Sequence, residues 1–476
     1  MTSTFYIIIA YMAGMVGIGL WVAKRKIKES SDFMLAGRQL GPLMVAGTLA
    51  AAEIGGGSTL GVASKAYGEW GLSAGWYVVC AGIGIFLVSF VAPFLRKSMA
   101  TTVPEIIGRR YGKPSHMITT ILSISALFFA TAAQVVATSS VIHVVTGADL
   151  KTVVVIVGCV VTAYTLMGGL VSVAYTDIVH IFFITVGMAI AMPIILKNAG
   201  GWNYLVENLP PGQLGLTKVG WKTIAGLILM YFMTFSTGQE AVQRYFAAKN
   251  AKVAKAGSFI CSLLMACYGF IPAVIGLVAL AHFPDISANS ALPTAAQHFA
   301  PTIIAGLVLA SVVAATMSSA SGNMLAVSTL FTKDVYQAYL NPNATDRSLM
   351  SWSKGAIVVV GASAIVIALN DYPIISLLIL AFTMRAAGPF AAFVFGLVYE
   401  KATVNAGLWS IILGSVAAIV WKQMGEPFGI MSIIFGSFVS TATFFVIAKI
   451  EIAMGKPSAP LAITDEHEAM AKDDAA

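Results

Sequence analysis

An acid and three consecutive glycines interrupt an apolar segment near the start of the chain. The segment TLAAAEIGGGSTLGVASK carries Glu53, followed by Gly55, Gly56 and Gly57. A carboxylate inside a bilayer costs several kcal/mol, and such residues usually mark a site for an ion, a proton or a solute. Each glycine costs about 1 kcal/mol against alanine in a helix, so three in a row predict a helix break. The freed backbone groups then need protein groups, water or a bound ion as partners.

A second polar interruption follows in the segment YFMTFSTGQEAVQRYFAAK. Here Gly238, Gln239 and Glu240 stand next to one another, and Glu240 precedes Arg244 by four residues, a spacing at which the two side chains can pair on one helix. Counted from the second apolar segment, each break opens a group of five segments. A unit with an odd number of spans that is repeated in tandem must be inverted in the membrane. Corresponding breaks in the two halves then predict a site near the midplane.

Small and hydroxyl-bearing residues are concentrated in the ninth apolar segment, LASVVAATMSSASGNMLAVST. Ala315, Ser318, Ser319 and Ser321 offer a carbonyl and three hydroxyls within about two helical turns. Hard cations prefer oxygen ligands, so this cluster could hold a monovalent cation. The simpler interpretation of such residues is close packing between membrane helices. Their occurrence together with two breaks favours ion binding.

Composition indicates a multi-pass protein of the cell membrane, with the lipid bilayer as its surroundings. Hydrophobic residues make up 58% of the chain and charged residues 10%, whereas soluble domains average about 25% charged residues. The basic residues behind the net charge of +7 lie mostly in the loops between apolar segments, so the charge does not indicate binding to nucleic acid. No CxxC spacing and no pairing of a nucleophile with a base is evident. We therefore expect neither an enzyme nor an organic cofactor, and the sequence assigns no protein partner.

The apolar segments predict about thirteen transmembrane helices, most of them long enough to cross a hydrocarbon core of about 30 Å. They lie near 4–23, 41–66, 72–95, 116–142, 152–167, 173–196, 220–243, 257–281, 301–331, 354–370, 374–399, 404–421 and 426–448. Most of the 28 lysine and arginine residues fall on one side when the N-terminus is outside. The positive-inside rule makes that side cytoplasmic.

These segments divide the chain into five regions of an all-α integral membrane protein. They are an extra N-terminal transmembrane helix at 1–30, a first five-helix repeat at 41–196, a second, inverted repeat at 219–399, two C-terminal helices at 404–448, and a tail at 457–476. The tail is polar and acidic, and we expect it to be disordered and cytoplasmic.

In this order the motifs resemble the sodium:solute symporter family, over nearly the whole chain. The segments that carry the resemblance are FMLAGRQLG at 33–41, the TLAAAEIGGG break, LMGGLVSVAYTDIVH at 166–180, GQEAVQRYFAAK at 238–249, AATMSSASG at 314–322 and AGPFAAFVFGLVYEKAT at 387–403. The resemblance implies thirteen helices with an extracellular N-terminus and a LeuT-type core of two inverted five-helix repeats. It also implies alternating access and coupling to sodium.

The resemblance implies two cation sites. The main sodium site would use the carbonyls of the broken helix and groups of the serine-rich helix, which fall here on Ala51, Ile54, Ala315, Ser318 and Ser319. A possible second site would combine the acid of the TD motif with two serines, here Asp177, Ser318 and Ser321. Without the motif, that acid can be explained as a charge near a helix N-terminus, favoured by the helix dipole.

Substrate-binding candidates follow from the same resemblance. They are Glu53, Gly55, Gly56 and Ser58 at the first break, Gly238 and Gln239 at the second, and Arg385 in the tenth core helix. Ala381 stands where the sodium–glucose members carry a sugar-binding glutamine, which disfavours a sugar. Trp76 and Tyr77 are typical of packing or interfacial aromatics rather than of a substrate platform.

Arg385 lies too deep in its segment to reach the membrane surface easily. Intramembrane arginines usually pair with an acid or line a wet cavity. One interpretation is a bidentate clamp for a substrate carboxylate. The other is an internal ion pair, for which Glu53 is the obvious partner. The two are compatible if a pair opens when the substrate arrives.

We expect a sodium-coupled symporter that imports a small polar organic solute, an amino acid or carboxylate-bearing metabolite rather than a sugar. A proton-coupled transporter of the same fold is an alternative, because Glu53 and Asp177 could carry protons. Two other classes are a channel, which the polar breaks would also suit, and a membrane sensor, which would need an appended regulatory domain.

Overall fold

The computed structural model describes residues 3–26, 30–370 and 372–463. Within them the regular structure is helical, and the one β contact is an isolated bridge between Leu40 and Ala248. The helices of the first half are α1 Ser3–Lys26, α2 Ser30–Leu35, α3 Pro42–Glu53, α4 Val62–Tyr67, α5 Trp76–Val88, α6 Ala92–Lys97, α7 Val103–Thr146, α8 Leu150–Asn198 and α9 Gly201–Asn208. The remaining helices are α10 Trp221–Thr237, α11 Gln239–Phe246, α12 Ala251–Tyr268, α13 Phe270–His282, α14 Ala291–Phe299, α15 Thr302–Leu330, α16 Asp346–Ala368, α17 Ile374–Ala386, α18 Pro389–Val394, α19 Val404–Gln423 and α20 Ser432–Ala453.

Each of the thirteen predicted apolar segments lies mainly on helix. In the described residues, nine helical stretches are long and apolar enough to cross a membrane, or eleven if each of two bent helix pairs forms one span. The difference from thirteen has local causes. Leu150–Leu166 is a short apolar helix, joined to the next segment at a kink at Gly169, and α10 has only 17 residues. The multi-pass architecture is confirmed, whereas the count of thirteen and the orientation stay predictions.

Side-chain caps fix where several helices begin. The side-chain oxygens of Thr102, Asp149 and Asn250 accept hydrogen bonds from the backbone amides three residues ahead, at 3.1, 3.0 and 2.9 Å. Such caps satisfy amides that have no partner inside the helix. At α3 the same role falls to Pro42 in the first turn, because proline has no amide hydrogen to satisfy.

Packing runs between the two halves of the chain as well as within them. The helices α3, α4 and α5 pack against α10, α12 and α13, and the helices α7 and α8 pack against α15 and α16. The broken helix α3 also contacts α8 and α15. The first break therefore lies beside the serine-rich helix, as a shared cation site requires.

Among the interruptions of apolar segments in the described residues, three border the site or bend a span strongly, and the sequence predicted two of these. The two parts of the first broken helix, Pro42–Glu53 and Gly57–Tyr67, are bent by 55°. Gly238 is extended, with φ −72° and ψ 116°, and separates α10 from α11. The third bend, of 49° between α17 and α18, was missed. A Cβ at Gly388 would collide with the Ile411 carbonyl, so glycine permits a close helix contact at this bend.

The C-terminal end of the described chain differs in part from expectation. Disorder was expected from residue 457, but this is wrong for 457–463. There the Ala459 amide donates to the Ala402 carbonyl at 2.7 Å, and Ala459 and Ala462 are buried. The rest of the predicted tail, 464–476, lies outside the described residues, as do 1–2 and 27–29 of the predicted N-terminal region.

Candidate ion and solute site

The break after α3 is held by polar side chains in addition to the helical hydrogen bonds that remain on either side. The chain resumes as a π-helical turn at Gly57–Gly61. The hydroxyl of Ser58 donates to the Glu53 carbonyl at 2.6 Å, and the Gly56 amide donates to Oε1 of Gln134 at 2.8 Å. These bonds replace the helical partners that the break removes, as a buried backbone requires.

One hydroxyl of the serine-rich helix lies among three backbone carbonyls. The Oγ atom of Ser319 is 3.1 Å from the Ala51 oxygen, 2.9 Å from the Ala52 oxygen and 3.0 Å from the Ala315 oxygen. A hydroxyl has one proton and can donate to one acceptor at a time. The group therefore has more oxygen acceptors than hydrogen-bond donors, which suits a hard cation. Three of the five predicted sodium ligands, Ala51, Ala315 and Ser319, meet here.

The other two predicted sodium ligands have different surroundings. Ile54 is fully buried at the break, and its amide donates to the Ala50 carbonyl at 2.7 Å. The hydroxyl of Ser318 donates to the Asp177 carboxylate instead of pointing to the carbonyl group. Ser318 thus belongs to a neighbouring polar cluster and would have to be shared with it.

That neighbouring cluster is centred on Asp177 in α8. Its carboxylate accepts hydrogen bonds from Thr48 and Ser318, and Nη2 of Arg244 lies 3.9 Å from Oδ2. All of these groups are buried. Asp177 is therefore no exposed charge at a helix end, and the helix-dipole interpretation is wrong. Ser321, the third residue of the predicted second site, has a buried hydroxyl without a hydrogen-bond partner in the described residues.

A buried ion pair occupies the second break. Nη1 of Arg385 pairs with Oε1 of Glu240, and Nε donates to Thr234 Oγ1 at 2.7 Å. A Cβ at Gly238 would collide with the Arg385 guanidinium, so glycine is needed for this approach. The expected pairing of Arg385 with Glu53 is wrong, because Glu240 holds the guanidinium.

The expected pairing of Glu240 with Arg244 along α11 is also wrong. Arg244 donates to the backbone carbonyl of Glu240 and to the Thr48 carbonyl, and its guanidinium faces Asp177. The helical spacing of four residues brings Glu240 and Arg244 close together. Their charged groups nevertheless face side chains on other helices, Arg385 and Asp177.

Gln239 is turned away from the first break. Its Oε1 accepts from the Val103 amide at 2.9 Å, and its Nε2 donates to the Thr101 carbonyl at 3.0 Å. The side chain therefore joins α11 to the start of α7. This contact leaves it no part in lining the central cavity.

A small polar cavity lies directly beside the first break. Its volume is about 30 Å³, room for roughly two water molecules, so the surrounding helices must move apart to admit an organic solute. It is lined by Ala52, Glu53, Gly57, Ser58, Tyr77, Ala81, Ala130, Gln134, Tyr231, Glu240, Met265, Asn323, Leu378 and Phe382.

The lining includes two of the predicted substrate residues, Glu53 and Ser58. The other five lie elsewhere: Gly55 and Gly56 pack against Ser319, Gln134 and Ala137, and Gly238, Gln239 and Arg385 surround the second break.

The sequence did not select the aromatic residues Tyr77, Tyr231 and Phe382, and it assigned Tyr77 to packing. A polar residue in an apolar stretch was the available signal for Gln134. The aromatic residues carried none, because aromatics are common in every membrane helix.

Comparisons with known proteins agree with this geometry. The sequence profile of the sodium:solute symporter family matches residues 33–414. The sodium/glucose cotransporter of Vibrio parahaemolyticus is 26% identical over 463 residues, which cover 87% of this chain and 84% of that protein. The sodium/proline symporter of Escherichia coli (strain K12) is 26% identical over 446 residues, 87% of each chain.

The fold is also that of a solved symporter. A structure of a Na⁺-coupled sialic acid symporter in a substrate-bound, outward-open state superposes with a TM-score of 0.82, at 19% identity. The match covers 96% of this chain and 99% of that one. At this identity the likeness establishes the fold, which is of the LeuT type.

Proposed function

The chain belongs to the sodium:solute symporter family and is a sodium-coupled symporter of a small solute; on that premise we propose that sodium binds at the break of α3. The Ser319 hydroxyl and the carbonyls of Ala51 and Ala315 form its centre, and the Ile54 carbonyl and the Ser318 hydroxyl complete the shell. The observation that carries the proposal is the single hydroxyl proton of Ser319 among three carbonyl oxygens.

Sodium at this position would couple the ion to the solute cavity. The ligands come from α3 and from α15, which pack on each other. Two residues after Ala51 the same break carries Glu53, which lines the cavity. An ion that fixes the backbone of the break therefore also fixes one wall of the solute site. Solute binding and sodium binding would then favour the same arrangement.

We further propose import into the cell, with the N-terminus outside and thirteen transmembrane helices. The distribution of lysine and arginine supports this orientation. The sodium gradient and the membrane potential would drive uptake, and one charge moved through 100 mV contributes about 2.3 kcal/mol. An amino acid is favoured over a sugar, because Ala381 replaces the sugar-binding glutamine expected in sodium–glucose members.

Uptake into proteoliposomes tests the proposal. The purified protein is given radiolabelled amino acids and glucose with an inward sodium gradient, an inward proton gradient, or equal potassium on both sides. We expect saturable accumulation of an amino acid with the sodium gradient only. Accumulation driven by protons alone would contradict sodium coupling, and conductance without accumulation would indicate a channel.

Two serine variants refine that test. Ser319→Ala removes a proposed sodium ligand, so the sodium concentration for half-maximal uptake should rise about tenfold, the effect of losing roughly 1.4 kcal/mol. Ser311→Ala is the matched control, because Ser311 lies in the same helix, is buried, and donates to the Val308 carbonyl of its own helix. An unchanged sodium dependence in Ser319→Ala would exclude this hydroxyl from the site.

A further inference from the structure

We propose that the transported solute carries a positively charged ammonium group, which binds to Glu53 against an aromatic wall formed by Tyr77, Tyr231 and Phe382. The inference rests on the symport function proposed above and specifies the substrate class of that site. It excludes sugars and carboxylates that lack a cationic nitrogen.

Three acids lie around the two breaks, the buried Asp177 and Glu240 and the half-buried Glu53. Two of them face a guanidinium: Asp177 faces Arg244, and Glu240 faces Arg385. The carboxylate of Glu53 makes no hydrogen bond and no ion pair with the described part of the chain. A carboxylate inside the membrane region is expensive without a partner. The missing partner of Glu53 is therefore a cation that the protein itself does not supply.

The acids of the cavity wall outnumber its basic residues. Its fourteen lining residues, all of them in the described chain, include the acids Glu53 and Glu240 but no lysine, arginine or histidine. One carboxylate oxygen of Glu240, Oε2, is buried and has no hydrogen-bond partner there. This atom is a second acceptor for an N–H group. Since Arg385 balances the charge of Glu240, the unbalanced charge of this wall is that of Glu53, which attracts a cation and repels a lone carboxylate.

Arg385 is the residue that could have held a substrate carboxylate. Its Nη1 and Nε atoms are engaged by Glu240 and Thr234, and its guanidinium carbon lies 4.8 Å from the ring centroid of Phe382. Arg385 is not among the residues that border the cavity. Nη2 is buried and has no hydrogen-bond partner in the described residues, so a bidentate carboxylate clamp would need a second nitrogen and would require the pair with Glu240 or the bond to Thr234 to come apart.

Three aromatic rings pack on one another beside the cavity. Tyr77 and Tyr231 meet edge to face, with ring centroids 5.3 Å apart and planes at 77°. Tyr231 and Phe382 are 6.0 Å apart at 61°. All three residues border the cavity beside Glu53. Aromatic faces attract ammonium groups, including quaternary ones that have no N–H to donate.

Isosteric pairs of probes test the charge requirement. Each pair replaces the ammonium nitrogen by carbon: proline with cyclopentanecarboxylate, glycine betaine with 3,3-dimethylbutanoate, and choline with 3,3-dimethylbutan-1-ol, and glucose serves as an uncharged control. The binding of each to the purified protein in sodium is measured from the concentration dependence of thermal stabilisation. We expect at least one ammonium probe to bind about tenfold or more tightly than its carbon analogue.

Three variants assign that preference to residues. Glu53→Gln should remove it, while Glu69→Gln, a change of an acid that does not line the cavity, should keep it. Tyr77→Phe keeps the ring and should bind the ammonium probes nearly as the native protein does. Tyr77→Leu removes the ring and should weaken the ammonium probe more than its analogue.

Three results would overturn the inference. They are equal binding of the members of every pair, binding of glucose alone or of no probe, and a Glu53→Gln protein that keeps the full preference while losing only sodium affinity. A separate arm measures stabilisation by sodium against potassium without any probe. Sodium stabilisation that is lost in Ser319→Ala, together with a failed charge preference, would reject the ammonium site and leave the sodium site standing.

Discussion

The two helix breaks occupy corresponding places in the two halves of the chain, yet their polar groups are satisfied in opposite ways. At the second break two arginines hold the nearby acids: Arg385 pairs with Glu240, and Arg244 faces Asp177. At the first break a single serine hydroxyl serves three carbonyls, and Glu53 faces a cavity.

This difference separates a break that the protein completes from one that it leaves to ligands. A guanidinium supplies five N–H donors in a rigid arrangement and remains charged, so the second break needs no ion. At the first break Ser58 and Ser319 donate one hydroxyl proton each, and no positively charged side chain in the described residues pairs with Glu53. In this chain, the break that points to a binding site is therefore the one whose freed carbonyls and acid lack an internal cation.

The largest expected effect comes from breaking the charge pair of the second break. Arg385→Gln leaves Glu240 buried without its partner, so unfolding free energy should fall by about 3–5 kcal/mol. The double change Glu240→Gln with Arg385→Gln strands no charge and should recover much of the loss. Thermal unfolding of the purified proteins measures both. A single variant as stable as the native protein would show that the pair does not hold this break.

The next effect concerns the pair between Asp177 and Arg244. Asp177→Asn leaves Arg244 without a buried counter-charge, so the unfolding free energy should fall by about 3 kcal/mol. This is the lower end of the range for a broken buried ion pair, because the two ions are 3.9 Å apart. The loss should be the same with and without sodium. A variant with native stability but a reduced Hill coefficient for sodium would instead place a second cation at Asp177.

A smaller effect should follow from filling the first break. A Cβ at Gly55 would collide with the Ser319 hydroxyl, so Gly55→Ala should cost about 1–3 kcal/mol by overpacking and should weaken sodium binding. Gly355→Ala is the control, because a Cβ at that helical glycine meets nothing within 4 Å. Sodium titrations of thermal stability compare the two. Native sodium affinity in Gly55→Ala would argue against the proposed position of the ion.

The smallest loss of stability is expected for Glu53, the acid of the first break. Since the described structure gives it no ion-pair partner, Glu53→Gln strands no charge and should lower the unfolding free energy by less than about 1 kcal/mol, if at all. Its effect should appear in solute binding instead. Thermal unfolding in the absence of solute measures this, with Arg385→Gln as the contrasting variant. A loss as large as that of Arg385→Gln would mean that the two breaks are alike.

The sequence predicted the positions of both breaks and their meeting with the serine-rich helix. Glycine runs and isolated acids have a high cost inside a membrane helix, so they stand out locally. Ala315 and Ser319 were recognisable as part of a cluster of oxygen ligands, and the resemblance to the family placed Ala51 with them. The bend at Gly388 was missed, although the neighbouring Pro389 was an available sign of it.

The pairing of charges could not be obtained from the sequence. Glu240 has a basic residue four positions ahead, yet its partner, Arg385, lies 145 residues away in the chain. Which acid a buried arginine selects depends on the distances between helices that the periodicity of a single helix does not contain. The aromatic wall was missed for a related reason. Tyr77 and Tyr231 become a site only when two helices from different halves of the chain meet.

The most direct test of the sodium site is equilibrium binding of radioactive ²²Na⁺ to the purified protein without solute. If sodium binds at the break of α3, the native protein and Ser311→Ala should bind ²²Na⁺ saturably and with equal affinity. Ser319→Ala should bind it about tenfold more weakly, corresponding to roughly 1.4 kcal/mol. Native affinity for ²²Na⁺ in Ser319→Ala would contradict the claim that the first break holds the coupling ion.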